Sequence, residues 1–201
     1  MKKWISIGAV LLLSLVCAVS ASAAGLTHTV EKGDTMWKLA VRYQVGTGEL
    51  IGANPQIANP NLIYPGQVLA IPQVDASVLA YEREVLRLVN EIRVQNGRKP
   101  LAEHWELSRV ARYKSQDMVD NAYFSHTSPV YGSPFQMIRA FGLPYRTAGE
   151  NIAYGQRTPQ AVVQAWINSS GHRANILNAS YTHLGVGYVA DGHYWTQMFI
   201  G

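Results

Sequence analysis

Ser169-Ser170-Gly171-His172-Arg173-Ala174-Asn175-Ile176-Leu177 places a histidine and an arginine directly after a glycine, where an amphipathic segment starting near Thr158 is due to end. Thr158-Pro159 is a strong helix start, with threonine as cap and proline in the first turn. Val162, Val163 and Trp166 then form the buried face. Two further polar signals, Ser125-His126-Thr127 and Gly149-Glu150-Asn151, stand upstream in the same half of the chain. We expect the three segments to converge on one cleft.

Working outward from that stretch, Val78, Leu79, Glu82, Val85, Leu86, Val89, Ile92 and Arg93 carry the 3.6-residue period of a helix, with Gly97 just past its end. Leu107, Val110, Ala111, Met118 and Ala122 mark a second helix, and residues 134–141 a shorter third one ended by Gly142. Downstream, residues 184–190 and 193–200 read as two strands joined at Asp191-Gly192, a two-residue hairpin signal. Helices early, strands late and no repeated βαβ unit argue for an α+β fold.

The N-terminal part has a different grammar. Lys2 and Lys3 precede an uncharged apolar run, Trp4 to Val19, followed by Ala21-Ser22-Ala23. This is the pattern of a secretory signal peptide over residues 1–24, too short for a retained span. Its removal takes away Lys2, Lys3 and the only cysteine, Cys17, so the formal charge falls from +4 to +2 and no disulfide is open to the mature chain. Such mild charge does not point to nucleic acid. With 48% hydrophobic residues, the remainder suffices for one small and one medium domain.

Residues 27–72 form the small one. Thr29-Val30 reads as a strand, Asp34 as the cap of a helix carrying Met36, Leu39, Ala40 and Tyr43, and Gly46 as its stop. Thr47 opens a second helix, and the loop Asn59-Pro60-Asn61-Leu62-Ile63 leads to a closing strand at residues 67–71. Trp37, Leu39 and Ile51 are assigned to the core. Residues 73–77 are a short polar linker, and residues 78–201 are the second domain.

The run from His28 to Ala40, with Leu50-Ile51-Gly52-Ala53-Asn54-Pro55 and Ile63-Tyr64-Pro65-Gly66-Gln67, resembles a LysM domain. That resemblance implies a βααβ module binding N-acetylglucosamine glycans such as peptidoglycan or chitin. The groove would lie between Gly33, Asp34, Thr35 and Met36 on one side and Asn59, Pro60, Asn61, Leu62 and Ile63 on the other. Backbone groups would meet acetamido groups, and Met36, Leu62 and Ile63 the sugar faces.

The second domain resembles the bacterial form of the CAP (SCP-like) superfamily. The resemblance rests on Leu88-Val89-Asn90-Glu91, Phe124-Ser125-His126, Gly149-Glu150-Asn151-Ile152, Gly171-His172-Arg173-Ala174-Asn175-Ile176-Leu177 and Tyr194-Trp195-Thr196-Gln197. It implies an α-β-α sandwich. Animal members carry a cavity of two histidines and two acidic residues. His126 and Glu150 match one pair, while Tyr194 stands at the other histidine's position and Ser169 near the second glutamate's.

His172 lies one helical turn beyond Ser169 and can supply the missing imidazole. A set of His126, Glu150 and His172 has the composition for zinc with an open water position, or for proton transfer with Glu150 orienting a histidine. Ser169, Tyr194 and Gln197 would line the cleft, and Arg173 and Asn175 would pin the loop to the sandwich. Three readings stay open: hydrogen bonds that only hold loops, a ligand-binding cleft, and a wall-active hydrolase. A lipid-binding role, known in some relatives, finds no dedicated apolar stretch. The chain has no Gly-x-Ser-x-Gly elbow and no His-Glu-x-x-His helix. His104-Trp105-Glu106 is read as a helix edge. The expected location is extracellular, on the cell wall or spore envelope.

Overall fold

A computed structural model describes residues 25–201. The signal-peptide expectation lies outside them. The first module runs β1 (Thr27–Thr29), α1 (Met36–Tyr43), α2 (Thr47–Gly52) and β2 (Val68–Ala70), with β1 and β2 antiparallel. Its own small core gathers Val30, Met36, Leu39, Ala40, Val45, Leu50, Leu69 and Ile71. Asn54 ties it shut: its buried amide donates to the Leu50 and Ala70 carbonyls and accepts from the Ala70 N–H.

Two expectations change here. Thr35, not Asp34, caps α1, accepting from the Lys38 N–H at 3.1 Å, because Asp34 is already engaged by His28 Nε2 at 2.8 Å and the Glu31 N–H at 2.9 Å. Trp37 is not core: it is 65% exposed, since the stripe formed by Met36, Leu39 and Ala40 puts it on the outer side of α1.

The second module continues with α3 (Ala76–Gln95), β3 (Ala102–Glu103), α4 (Trp105–Asp120), α5 (Pro134–Ala140), β4 (Ala148–Tyr154), α6 (Pro159–Asn168), α7 (Ser170–Ile176), β5 (His183–Val189) and β6 (Tyr194–Ile200). Asp75 caps α3 through the Ser77 N–H, so the helix starts inside the expected linker. The sheet order is β3-β5-β6-β4. Sequence periodicity overlooked β3, which is two residues long, and β4, whose buried polar residues interrupt an apolar alternation. The β5–β6 connection spans Ala190 to His193 with a 3-10 turn, in place of the two-residue hairpin. Ser169 is extended, so α6 stops there, yet α7 begins at the next residue and His172 is helical.

The sheet separates two helical layers, as the α-β-α expectation required. On one face, Val85 and Val89 of α3 and Val162, Val163 and Trp166 of α6 pack on Leu184, Val186, Tyr188, Trp195 and Phe199. On the other, α4 and α5 close over Met198 and Ile200. Here Gly185 and Gly187 let α4 lie directly on β5: a Cβ at Gly187 would stand 2.1 Å from the Ala111 backbone. Past the short β3, side chains cover the β5 edge, with Ser108 Oγ accepting from the Val186 N–H and Glu82 Oε1 from the Tyr188 N–H.

Candidate functional site

The cleft is assembled at the other edge of the sheet. Strand residues alternate between faces, so Glu150, Ile152 and Tyr154 of β4 point to the α4 side and Asn151 and Ala153 to the α6 side. The helix α4 ends in a turn where Ala122 takes a left-handed φ of 51°, and the chain then passes along the α4 side of β4. That path brings His126 onto Glu150, with His126 Nδ1 2.7 Å from Glu150 Oε1. The His126 side chain is 54% exposed and that of Glu150 only 2%. Glu150 Oε2 is buried without a protein partner.

Burial pushes the Glu150 carboxyl upward, opposed by its hydrogen bond to His126 and by the Lys114 charge. Lys114 is fully buried on α4, and desolvation lowers its pKa. Its ammonium donates to the Ser125 carbonyl at 2.7 Å and the Tyr123 hydroxyl at 2.8 Å, and the Tyr123 hydroxyl in turn donates to Asp117. Lys114 therefore holds the loop carrying His126 and supplies the charge beside Glu150. Its sequence signal was a lysine in the apolar stripe of Leu107, Val110, Ala111 and Met118.

His172 is half buried, and its pKa is lowered by desolvation and by the charge of His126. It is an electrostatic neighbour of the pair rather than a member of its hydrogen-bonded network. Its backbone carbonyl accepts from Asn151 Nδ2 at 3.1 Å, and Asn175 Nδ2 donates to Glu150 O and Asn151 Oδ1. The three polar segments do meet, tied across the β4 edge by these amides. Arg173 is not a pin; it is exposed, reaching only the Ile167 carbonyl of the preceding helix.

The expected lining residues divide. Gln197 pairs with Asn151, so it faces away from Glu150; it is fully buried and accepts from Asn151 Nδ2 at 3.0 Å. Ser169 sits half-buried between α6 and α7 and makes no side-chain cap bond. Tyr194 pairs with Tyr154 on the Glu150 side, where both stand against Phe124. Those two neighbours were missed, their aromatic character being unremarkable until strand and loop are juxtaposed.

Zinc does not fit these residues. Among the described residues no group of three His, Cys, Asp or Glu side chains is placed to hold a metal ion. His126 Nδ1 and Glu150 Oε1 instead face each other as a hydrogen-bonded pair. The set of His126, Glu150 and His172 is thus a carboxylate-oriented histidine with a second imidazole nearby. With Nδ1 donating to the carboxylate, a neutral His126 keeps Nε2 as a hydrogen-bond acceptor, on a side chain that is half exposed.

In the first module, Gly33, at φ 92°, and Thr35 are exposed in the β1–α1 connection, and Asn59, Asn61 and Leu62 in the α2–β2 connection. Asn59 Oδ1 accepts from the Asn61 N–H at 3.0 Å and shapes that second loop. Pro60 is half-buried, Ile63 packs partly on the core and Asp34 is spent on His28. Met36 is 4% exposed and is core rather than a sugar contact.

The chain is thus a two-module architecture, a βααβ module joined to an α-β-α sandwich with a His/Glu pair at its sheet edge. The chain belongs to the CAP (cysteine-rich secretory protein) family, whose profile matches residues 86–199, and a LysM domain matches residues 28–72. It is 60% identical over 126 residues to the uncharacterised protein YkwD of Bacillus subtilis, covering 63% of this chain and 49% of that one. It is 47% identical over 45 residues to the spore coat assembly protein ExsA of Bacillus cereus, covering 22% of this chain and 7% of that one. The chain spans about half the length or less of these curated relatives. A crystal structure of an extracellular SCP-domain protein from Bacillus anthracis aligns with TM-score 0.60 at 34% identity, covering 68% of this chain and 47% of that one. Among the described residues no helix is long and apolar enough to cross a membrane.

Proposed function

We propose that this chain is a secreted, wall-associated protein whose LysM module holds peptidoglycan and whose CAP domain presents the His126–Glu150 edge to a ligand. The observation that carries the reading is the pair itself, in a chain that also has a LysM domain: a half-exposed imidazole oriented by a buried carboxylate. Relatives named for spore coat assembly and autolysis, and an extracellular SCP-domain neighbour, support an extracellular or cell-wall location. Glycan contact falls to Gly33, Thr35, Asn59, Asn61 and Leu62, the exposed members of the two loops.

Sedimentation of the mature chain with insoluble peptidoglycan tests the anchor. The wild type pellets, and the double variant Asn61→Ala, Leu62→Ala stays in the supernatant. The second reading, a hydrolase, draws on the same dyad, with His126 Nε2 as general base and Glu150 as its orienter. Mass analysis of wall fragments after incubation distinguishes them. New fragments that His126→Ala and Glu150→Gln abolish establish hydrolysis; intact wall leaves binding.

A further inference from the structure

On the α4 side of the β4–β6 edge, beyond the His126–Glu150 pair, three aromatic rings form an open cluster. Tyr154 and Tyr194 stack with centroids 5.7 Å apart and planes 23° apart, and Phe124 meets Tyr154 at 4.7 Å and 60°. Tyr154 is 55% and Phe124 44% exposed, which leaves ring surface toward solvent. Tyr154 lies four residues along β4 from Glu150 on the same side, a separation of about 13 Å at strand rise. Phe124 is two residues from His126 on the same loop.

We infer that these rings are a binding platform for the pyranose faces of a glycan strand, so that the CAP domain is a second glycan-binding site of this chain. The inference rests on the proposed ligand-binding role of the His126–Glu150 edge and names its ligand class. Aromatic faces match the apolar C–H face of a sugar ring, while the Tyr154 and Tyr194 hydroxyls and His126 Nε2 offer hydrogen bonds to its rim. The row from the rings to His126 has the length of a short oligosaccharide rather than of one small molecule. The occupant follows from the chain itself: a LysM module tethered to the platform keeps glycan at high local concentration, where even a weak second site adds avidity.

Calorimetric titration of the mature chain with a β-1,4-linked N-acetylglucosamine tetramer tests this. Two binding events per chain are expected. The double variant Phe124→Ala, Tyr154→Ala should weaken one of them about tenfold or more, with the other event and the thermal midpoint unchanged. Tyr154→Trp, which keeps a ring, should retain both. A single event in the wild type, or two events unaffected by losing the rings, overturns the platform. If His126→Ala removes the second event and the ring variants do not, the platform falls while the ligand-binding edge stands. If the Asn61→Ala, Leu62→Ala variant loses only the other event, the two sites are independent, as proposed.

Discussion

At the residue scale, buried charge sets the properties of the second module. Glu82 on α3 is 5% exposed, and burial pushes its carboxyl up to about 8 despite Arg112 nearby and the Tyr188 N–H it accepts from. A raised carboxyl pKa means the folded state binds its proton more tightly than the unfolded chain does. Stability from that difference is present at low pH and is lost as pH rises through the folded value. We expect Glu82→Gln to gain stability progressively relative to the wild type as pH goes from about 5 to about 8; thermal unfolding across that range reads it. A constant difference would show that Glu82 does not titrate there. Lys114 is the second such residue. Lys114→Met leaves the Ser125 carbonyl and Tyr123 hydroxyl without their donor, so it should cost about 1–3 kcal/mol in denaturant unfolding and loosen the loop that carries His126.

At the element scale, the contact between α4 and β5 depends on two absent side chains. Gly185 and Gly187 meet the Leu107 and Ala111 backbones at distances no Cβ tolerates, and helix backbone cannot step aside as a side-chain tip can. Gly187→Ala should therefore destabilise by about 3 kcal/mol or more, by overpacking, with the LysM module still folded. The turn after α4 works the other way. Ala122 holds a left-handed φ that favours glycine, so Ala122→Gly should leave stability unchanged or raise it by up to about 1 kcal/mol. Urea unfolding of both variants checks the pair of signs.

At the scale of the whole molecule, the modules are joined by more than residues 73–75. Glu49 of α2 receives Arg109 Nε of α4 at 2.7 Å and also accepts from the Gly46 N–H. The Arg109 guanidinium lies over Tyr113 and Phe141, 5.5 and 5.1 Å from their centroids. Arg109→Ala should cost only about 1 kcal/mol, since the pair is partly exposed. Its clearer consequence is freer hinging, seen as faster limited proteolysis between Pro72 and Asp75 while each module stays intact. If the two sites grip one glycan network, the same variant should weaken sedimentation with peptidoglycan less than loss of either site does.

The sequence by itself determined what local chemistry can encode. Thr158-Pro159 started a helix because a hydroxyl cap and a fixed φ suffice, Gly97 stood past the end of α3, and apolar periods marked α3, α4 and α6. Motif order told the two modules apart, and His126 and Glu150 were singled out by their match to the CAP family pattern. Tertiary structure alone decided which of those marks share a site. Whether Gln197 faces the pair or the opposite layer depends on its register against Asn151, and a strand's faces alternate at every residue. Whether Arg173 pins or floats depends on where α7 begins. Phe124, Tyr154 and Tyr194, some 30 to 70 residues apart in the chain, become one surface only when β4 pairs with β6 and the loop after α4 folds across them, because long-range pairing, not local pattern, sets their distance.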